Sequence, residues 1–137
     1  MGAVSAAALS AGASPADDLS AGWQFAVGSP AEGLLADAGA MLSTSIAVAL
    51  PHRVLEPNTP LWYARDINLP ADGWLEVNAD DGAQVFVGAT RLAQQRRWFR
   101  VPPHLSGLRP VIVRALNNAM AGGLRQVTRH DLSLIHI

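Results

Sequence analysis

Residues 75–87 decide the fold class, and they read Leu75-Glu76-Val77-Asn78-Ala79-Asp80-Asp81-Gly82-Ala83-Gln84-Val85-Phe86-Val87. Apolar and polar residues alternate on both sides of Asp81-Gly82. Alternation with a period of two is typical of a half-buried β-strand, because successive side chains leave opposite faces of the sheet. Asp-Gly between two such runs favours a tight turn, since glycine adopts positive φ without steric cost. The stretch therefore predicts a β-hairpin.

Short alternating runs continue on both sides of this stretch, separated by proline, glycine and asparagine. The link from His52 to Pro60 is rich in proline and predicts no regular structure. Pro110 is expected to open a strand, and Gly122-Gly123 is expected to form a turn. The predicted strands are Trp23–Val27, Ile46–Leu50, Tyr63–Leu69, Arg97–Val101, Val111–Leu116 and Leu124–Thr128.

Seven or eight short strands with frequent turns predict an all-β fold, an antiparallel β-sandwich or jelly roll. No stretch shows a helical period of apolar residues over a window of about 11 residues. The side chains expected to point into the core are those of Trp23, Phe25, Val77, Val85, Val87, Val111 and Val113.

Composition excludes several functional classes. The 137 residues are enough for one domain, and no apolar run reaches the roughly 18 residues of a membrane span. The net charge of -1 provides no basic field of the kind that nucleic acid or an anionic membrane requires. The absence of cysteine excludes disulfides, thiolate nucleophiles and cysteine-ligated metal sites.

Both ends of the sequence differ from the middle. Residues 1–16 are small and uncharged, and Ala11-Gly12-Ala13 has the form of a signal-peptidase site without a basic segment before it. The interpretation is a disordered leader or a signal-peptide remnant, so a periplasmic or secreted location stays open and the localisation unknown. Residues 132–137 resemble the translation of a sequencing-library adapter and are interpreted as a non-native tail. Residues 17–131 are the expected sandwich module, a fragment of a longer protein.

Several segments follow one another in a characteristic order: Leu19–Phe25, Leu50-Pro51-His52, Trp62-Tyr63-Ala64-Arg65, Leu69-Pro70, Asp81–Val87, Val111–Asn118 and Gly122–Val127. Their order resembles that of the N-terminal jelly-roll domain of family 2 glycoside hydrolases, a galactose-binding-like fold. The family usually has Asn-Gly after the second strand of the central stretch, whereas this chain has Gly88-Ala89-Thr90.

The resemblance implies a non-catalytic accessory module that packs on a downstream catalytic domain of the same parent chain. It also implies that the turn at Asn117 and Asn118 approaches carbohydrate, whereas the simpler explanation of the two asparagines is a β-turn between two strands. Similar sandwiches precede calcineurin-like metallophosphoesterases, which is the second hypothesis. A third is a stand-alone, lectin-like carbohydrate-binding domain that uses Trp98 and Arg97.

No catalytic residue, metal site or cofactor is predicted. Glycoside hydrolysis needs two carboxylates about 5–9.5 Å apart across the scissile bond. Asp80 and Asp81 are adjacent, so their side chains diverge, and they are interpreted as turn formers. With Asn78 they supply three oxygen ligands, fewer than the roughly six to eight of a calcium site. The histidines lack metal-ligand spacing. We expect no turnover of aryl glycosides or aryl phosphates.

One segment combines basic and aromatic residues. Arginine forks beside aromatic rings can stack on a sugar or hold a phosphate or carboxylate. The alternative is a solvated edge strand whose arginines prevent edge-to-edge pairing. The residues of this segment are Arg91, Arg96, Arg97, Trp98, Phe99 and Arg100. The candidate substrate-binding residues of the whole chain are therefore Trp98, Arg97, Asn117 and Asn118.

Overall fold

The computed structural model of the protein describes residues 18–27, 45–118 and 120–131. These residues form twelve strands, and a single 3₁₀ turn at Pro103–Leu105 is the helical element among them. The strands are β1 (Trp23–Val27), β2 (Ile46–Val48), β3 (Val54–Leu55), β4 (Leu61–Leu69), β5 (Gly73–Ala79), β6 (Ala83–Val87), β7 (Thr90–Arg91), β8 (Gln94–Gln95), β9 (Trp98–Val101), β10 (Gly107–Ala115), β11 (Ala121–Gly122) and β12 (Leu124–Asp131).

Two antiparallel sheets enclose the core, which confirms the prediction of an all-β sandwich. The larger sheet has six strands in the order β2-β1-β4-β10-β6-β7, and the smaller has four in the order β12-β5-β9-β8. A separate pair, β11 and β3, lies at one end. The seven side chains predicted to point inward are all buried, as members of one continuous hydrophobic cluster.

The predicted hairpin at residues 75–87 is wrong in its pairing, although both strands are present. β5 pairs with β12 and β9, whereas β6 pairs with β10 and β7, so the two strands belong to different sheets. Asp80, Asp81 and Gly82 carry the chain across the end of the sandwich, with Gly82 at φ +99°. Alternation identifies the face that each strand buries, and a hairpin or an arch over the core satisfies it equally.

Other predicted elements differ at their boundaries. β10 begins at Gly107, so Pro110 lies inside it rather than at its start. Pairing with β6 covers only Val111–Ala115, and Pro110 therefore lies where one side of the strand has no neighbour and a missing N–H is tolerated. Gly122, expected in a turn, belongs to β11 and pairs with Val54 of β3, inside the link predicted to be irregular.

No helix among the described residues is both long and apolar enough to cross a bilayer. Several predictions lie outside those residues. They concern the leader at 1–16, most of the glycine- and alanine-rich connection at 28–45, and the tail at 132–137.

Candidate functional site

Asn117 and Asn118 lie at one end of the sandwich, just beyond the last residue of β10. That residue, Ala115, pairs with Leu61 at the start of β4, so the segment that leads into β4 lies alongside the asparagines. Two backbone hydrogen bonds join the segments. Asn58 N–H donates to the Asn118 carbonyl over 2.6 Å, and Thr59 N–H donates to the Asn117 carbonyl over 3.2 Å. The two loops are therefore fixed to each other.

The two asparagine side chains have different surroundings. Asn117 is 4% exposed, and its Nδ2 donates to the Glu56 carbonyl over 2.7 Å. Its Oδ1 has no hydrogen-bond partner among the described residues and faces Gly122, where a Cβ would lie only 2.4 Å away. Buried amides usually fix neighbouring backbone. Asn117 thus anchors the 52–60 link.

Asn118 is exposed and held by its backbone. Its N–H donates to Asp81 Oδ2 over 2.9 Å, and its carbonyl accepts the bond from Asn58. An open cleft of about 290 Å³ lies beside it, which we call the asparagine cleft. Its lining residues are Asn58, Thr59, Pro60, Arg114, Leu116, Asn117 and Asn118. Because its backbone is fixed and its side chain reaches solvent, Asn118 is suited to hydrogen bonding a polar ligand.

The basic and aromatic segment does not form one patch, because its residues are divided between two surfaces and the core. Arg91 belongs to β7, at the edge of the six-stranded sheet. Phe99 is buried in the core. Trp98 and Arg100 flank Phe99 on β9, so their side chains leave the outer face of the four-stranded sheet. Only part of the predicted patch is therefore available to a single ligand.

The outer face of the four-stranded sheet carries an aromatic cluster, which we call the tryptophan face: Trp74, Trp98 and His130. The rings of Trp74 and Trp98 are nearly perpendicular, with centroids 6.4 Å apart, and the Trp98 and His130 centroids lie 5.1 Å apart. Perpendicular packing of aromatic rings is favourable because a positive edge meets a negative face. The cluster joins three strands, β5, β9 and β12.

Ion pairs surround the tryptophan face. Glu76 accepts a hydrogen bond from Arg97 Nε over 2.7 Å, and its other oxygen lies 3.1 Å from His130 Nε2. Arg100 pairs with Asp72, and its guanidinium lies over the Trp74 ring, 5.7 Å from the centroid. Arg97, a predicted substrate-binding residue, is thus engaged by Glu76.

Sequence reasoning missed Trp74 and His130 as neighbours of Trp98. The outward-facing position of Trp74 could have been predicted from the sequence, since Trp74 lies on the same side of the alternating pattern as the polar residues Glu76 and Asn78. For His130 the sequence carries no such signal, because its place beside Trp74 depends on the pairing of β12 with β5. Strand partners 56 residues apart are not encoded by local periodicity.

The acidic residues of the Asp80–Asp81 turn point in different directions. Asp80 pairs with Arg125 at 3.2 Å and Arg53 at 3.8 Å, whereas Asp81 binds the backbone of Asn118. Within residues 18–27, 45–118 and 120–131, no three histidine or acidic side chains lie in an arrangement that could hold a metal ion. Both aspartates therefore stabilise the end of the sandwich where Asn117 and Asn118 lie.

Tyr63 and His52 form a hydrogen-bonded pair at the core boundary. The Tyr63 hydroxyl lies 2.7 Å from His52 Nδ1 and accepts a bond from Leu124 N–H over 3.3 Å. Burial raises the pKa of Tyr63 to about 12 and lowers the pKa of His52. Nδ1 of a neutral His52 accepts a hydrogen bond from the Tyr63 hydroxyl, so the pair is satisfied without charge.

We expect the stability of the fold to fall as pH rises from 10 towards 12. The pKa of Tyr63 is about 12 in the fold and 10 for the unperturbed group. Its contribution is therefore complete below pH 10 and is lost as the pH rises through the folded pKa. Two pKa units correspond to roughly 3 kcal/mol of unfolding free energy.

The tyrosinate absorbance isolates this group, because the chain has one tyrosine. We expect the absorbance to rise near pH 10 in denaturant and well above pH 10 in the native protein. Urea unfolding curves of Tyr63→Phe should lose this part of the alkaline slope. A native titration midpoint at 10 would contradict the prediction.

A comparison of this chain with protein-family models, with curated proteins and with solved structures found no match.

Proposed function

We propose that this chain is a non-catalytic β-sandwich module of a larger carbohydrate-active hydrolase, and that its asparagine cleft contacts sugar. The observation that carries the proposal is the cleft itself. Asn118 presents its exposed side-chain amide beside Asn58 and Thr59, on loops held together by two backbone hydrogen bonds. Amide groups carried on a fixed backbone bind sugar hydroxyls with less loss of conformational entropy than groups on a mobile loop.

The outer face of the six-stranded sheet supports packing against a second domain. On β10, Val111 and Val113 are buried, so Ile112 between them faces outward. Ile112 lies beside Ala64 of β4 and Phe86 of β6, which makes an apolar row across three strands. Leu108, further along β10, is 71% exposed. Apolar rows of this kind are typical of domain interfaces.

The sugar contact is tested by substituting Asn118. We expect Asn118→Ala to weaken binding of methyl β-galactoside about three- to tenfold, the usual effect of losing one hydrogen bond between neutral groups. The fold should be retained, because the described bonds of Asn118 come from its backbone. Backbone amide shifts of the chain, followed by NMR during titration, give both the affinity and the location.

Asn68→Ala is the matched control. Asn68 is an equally exposed asparagine at the other end of β4, where Leu69 pairs with Gly107. Its substitution should leave the titration unchanged. Shift changes that avoid Asn58, Thr59 and Asn118, or the same affinity in wild type and Asn118→Ala, would rule out the cleft as the contact.

A further inference from the structure

Trp98 is held rigidly on the tryptophan face. Its strand, β9, is paired on both sides, with Glu76 of β5 and Gln95 of β8 as the direct partners of Trp98. Trp74 and His130 pack against the ring, yet Trp98 keeps part of its surface exposed. A fixed, partly exposed indole loses little entropy when a flat apolar surface stacks on it. The C–H face of a pyranose ring is such a surface.

The charge next to Trp98 is unbalanced. Arg97 and Arg100 have acidic partners in Glu76 and Asp72. Arg96 is exposed in the turn between β8 and β9 and has no acidic partner in the part of the chain that the structure describes. A cation without an acidic partner among the described residues therefore lies two residues from the partly exposed indole.

The backbone of Arg96 provides a second, independent observation. Its φ is +58°, in the left-handed region that glycine and asparagine adopt most readily. A two-residue turn between strands favours those residues, so the turn itself does not require arginine. Residues held in sparsely populated backbone regions cluster at binding sites and other functional sites.

We propose that the tryptophan face binds an acidic saccharide, with the pyranose ring stacked on Trp98 and the anionic group bound by Arg96. A guanidinium donates two parallel hydrogen bonds to two oxygens of a carboxylate or sulfate. A neutral sugar has no such pair of anionic acceptors. The charge of the face thus matches a uronate or a sulfated sugar. This site is on a different surface from the asparagine cleft and does not depend on the function proposed for it.

The test measures binding of an oligogalacturonide and a heparin oligosaccharide to the whole chain by calorimetry, with a neutral cello-oligosaccharide as the reference. We expect Arg96→Gln to weaken acidic-sugar binding about tenfold or more, since a charge-assisted pair is worth at least that factor. Trp98→Ala should weaken it as well, because it removes the ring on which the sugar stacks. Preference between the two acidic ligands identifies the anionic group as carboxylate or sulfate.

Two variants keep the result independent of folding. Arg96→Gly suits the positive φ, so it should leave the melting temperature unchanged or higher while binding is lost. Arg91→Gln removes the same charge from β7 of the other sheet and should leave binding intact. The proposal is overturned if wild type binds neither acidic ligand, if it binds the neutral one equally well, or if Arg96→Gln and Arg91→Gln have the same effect.

Discussion

Val113→Asp is expected to abolish the cooperative unfolding transition of this protein. Val113 is fully buried in β10, between Tyr63 of β4 and Val85 of β6. An aspartate there must be protonated to be buried, which costs about 4 kcal/mol at pH 7 because this pH is about three units above the ordinary pKa of an aspartate. Loss of the valine burial adds roughly 2 kcal/mol. The total is comparable to the ~5–15 kcal/mol that stabilises a typical domain.

Gln84→Asp is the control for Val113→Asp. Gln84 lies on the outer side of β6, and its Oε1 accepts a hydrogen bond from Arg114 Nη1 over 3.1 Å. An aspartate keeps an acceptor near the guanidinium and buries no uncompensated charge. We expect its urea midpoint and near-ultraviolet circular dichroism to match wild type. A native-like transition in Val113→Asp, or unfolding of Gln84→Asp, would contradict the assignment of the two strand faces.

Trp23→Ala has the second largest expected effect, a loss of about 3–5 kcal/mol in unfolding free energy. Trp23 is completely buried, and its indole N–H donates to the Leu19 carbonyl over 2.6 Å. The Arg65 guanidinium lies over the ring, 6.0 Å from the centroid. Truncation therefore removes the ring, the hydrogen bond and the support of Arg65 together. Urea unfolding at neutral pH measures the loss.

Trp23→Phe separates the contributions of the ring and the hydrogen bond. Phenylalanine keeps most of the apolar contact with the core but cannot donate to Leu19. We expect it to cost clearly less than Trp23→Ala, with a large part of its effect from the carbonyl left without its donor. Equal losses in both variants would show that the hydrogen bond, rather than the buried ring, fixes the start of β1.

The sequence alone determined the longer strands and the core side chains that they bury, whereas the two-residue strands β3, β7, β8 and β11 were not predicted. Trp23, Val85 and Val113 were assigned to the core from alternation, and all three are buried. The reason is that alternate residues of a strand lie on the same face of the sheet, so the pattern of apolar and polar residues within one strand identifies its buried face. Proline and glycine mark most strand ends in the same local way, although Pro110 shows that a proline also fits inside a partly paired strand.

The orientations of several residues outside the core could not be predicted from alternation. The sequence placed Asn117 and Asn118 together, yet one is buried against the 52–60 link and the other is exposed at the cleft. Consecutive residues outside a regular strand have no fixed alternation, so their orientations depend on the loops that pack on them. Arg91 and Trp98, which are close in sequence, lie on different surfaces because their short strands join different sheets.

Only the tertiary structure decided which strands are neighbours. β5 and β6 have the pattern and the Asp-Gly turn of a hairpin, and they lie in opposite sheets because β9, β12 and β10 occupy the edges beside them. Pairing is a choice among distant segments, and its free energy depends on the whole core rather than on the turn. The tryptophan face follows from that choice, since β5, β9 and β12 bring Trp74, Trp98 and His130 together from three separate parts of the chain.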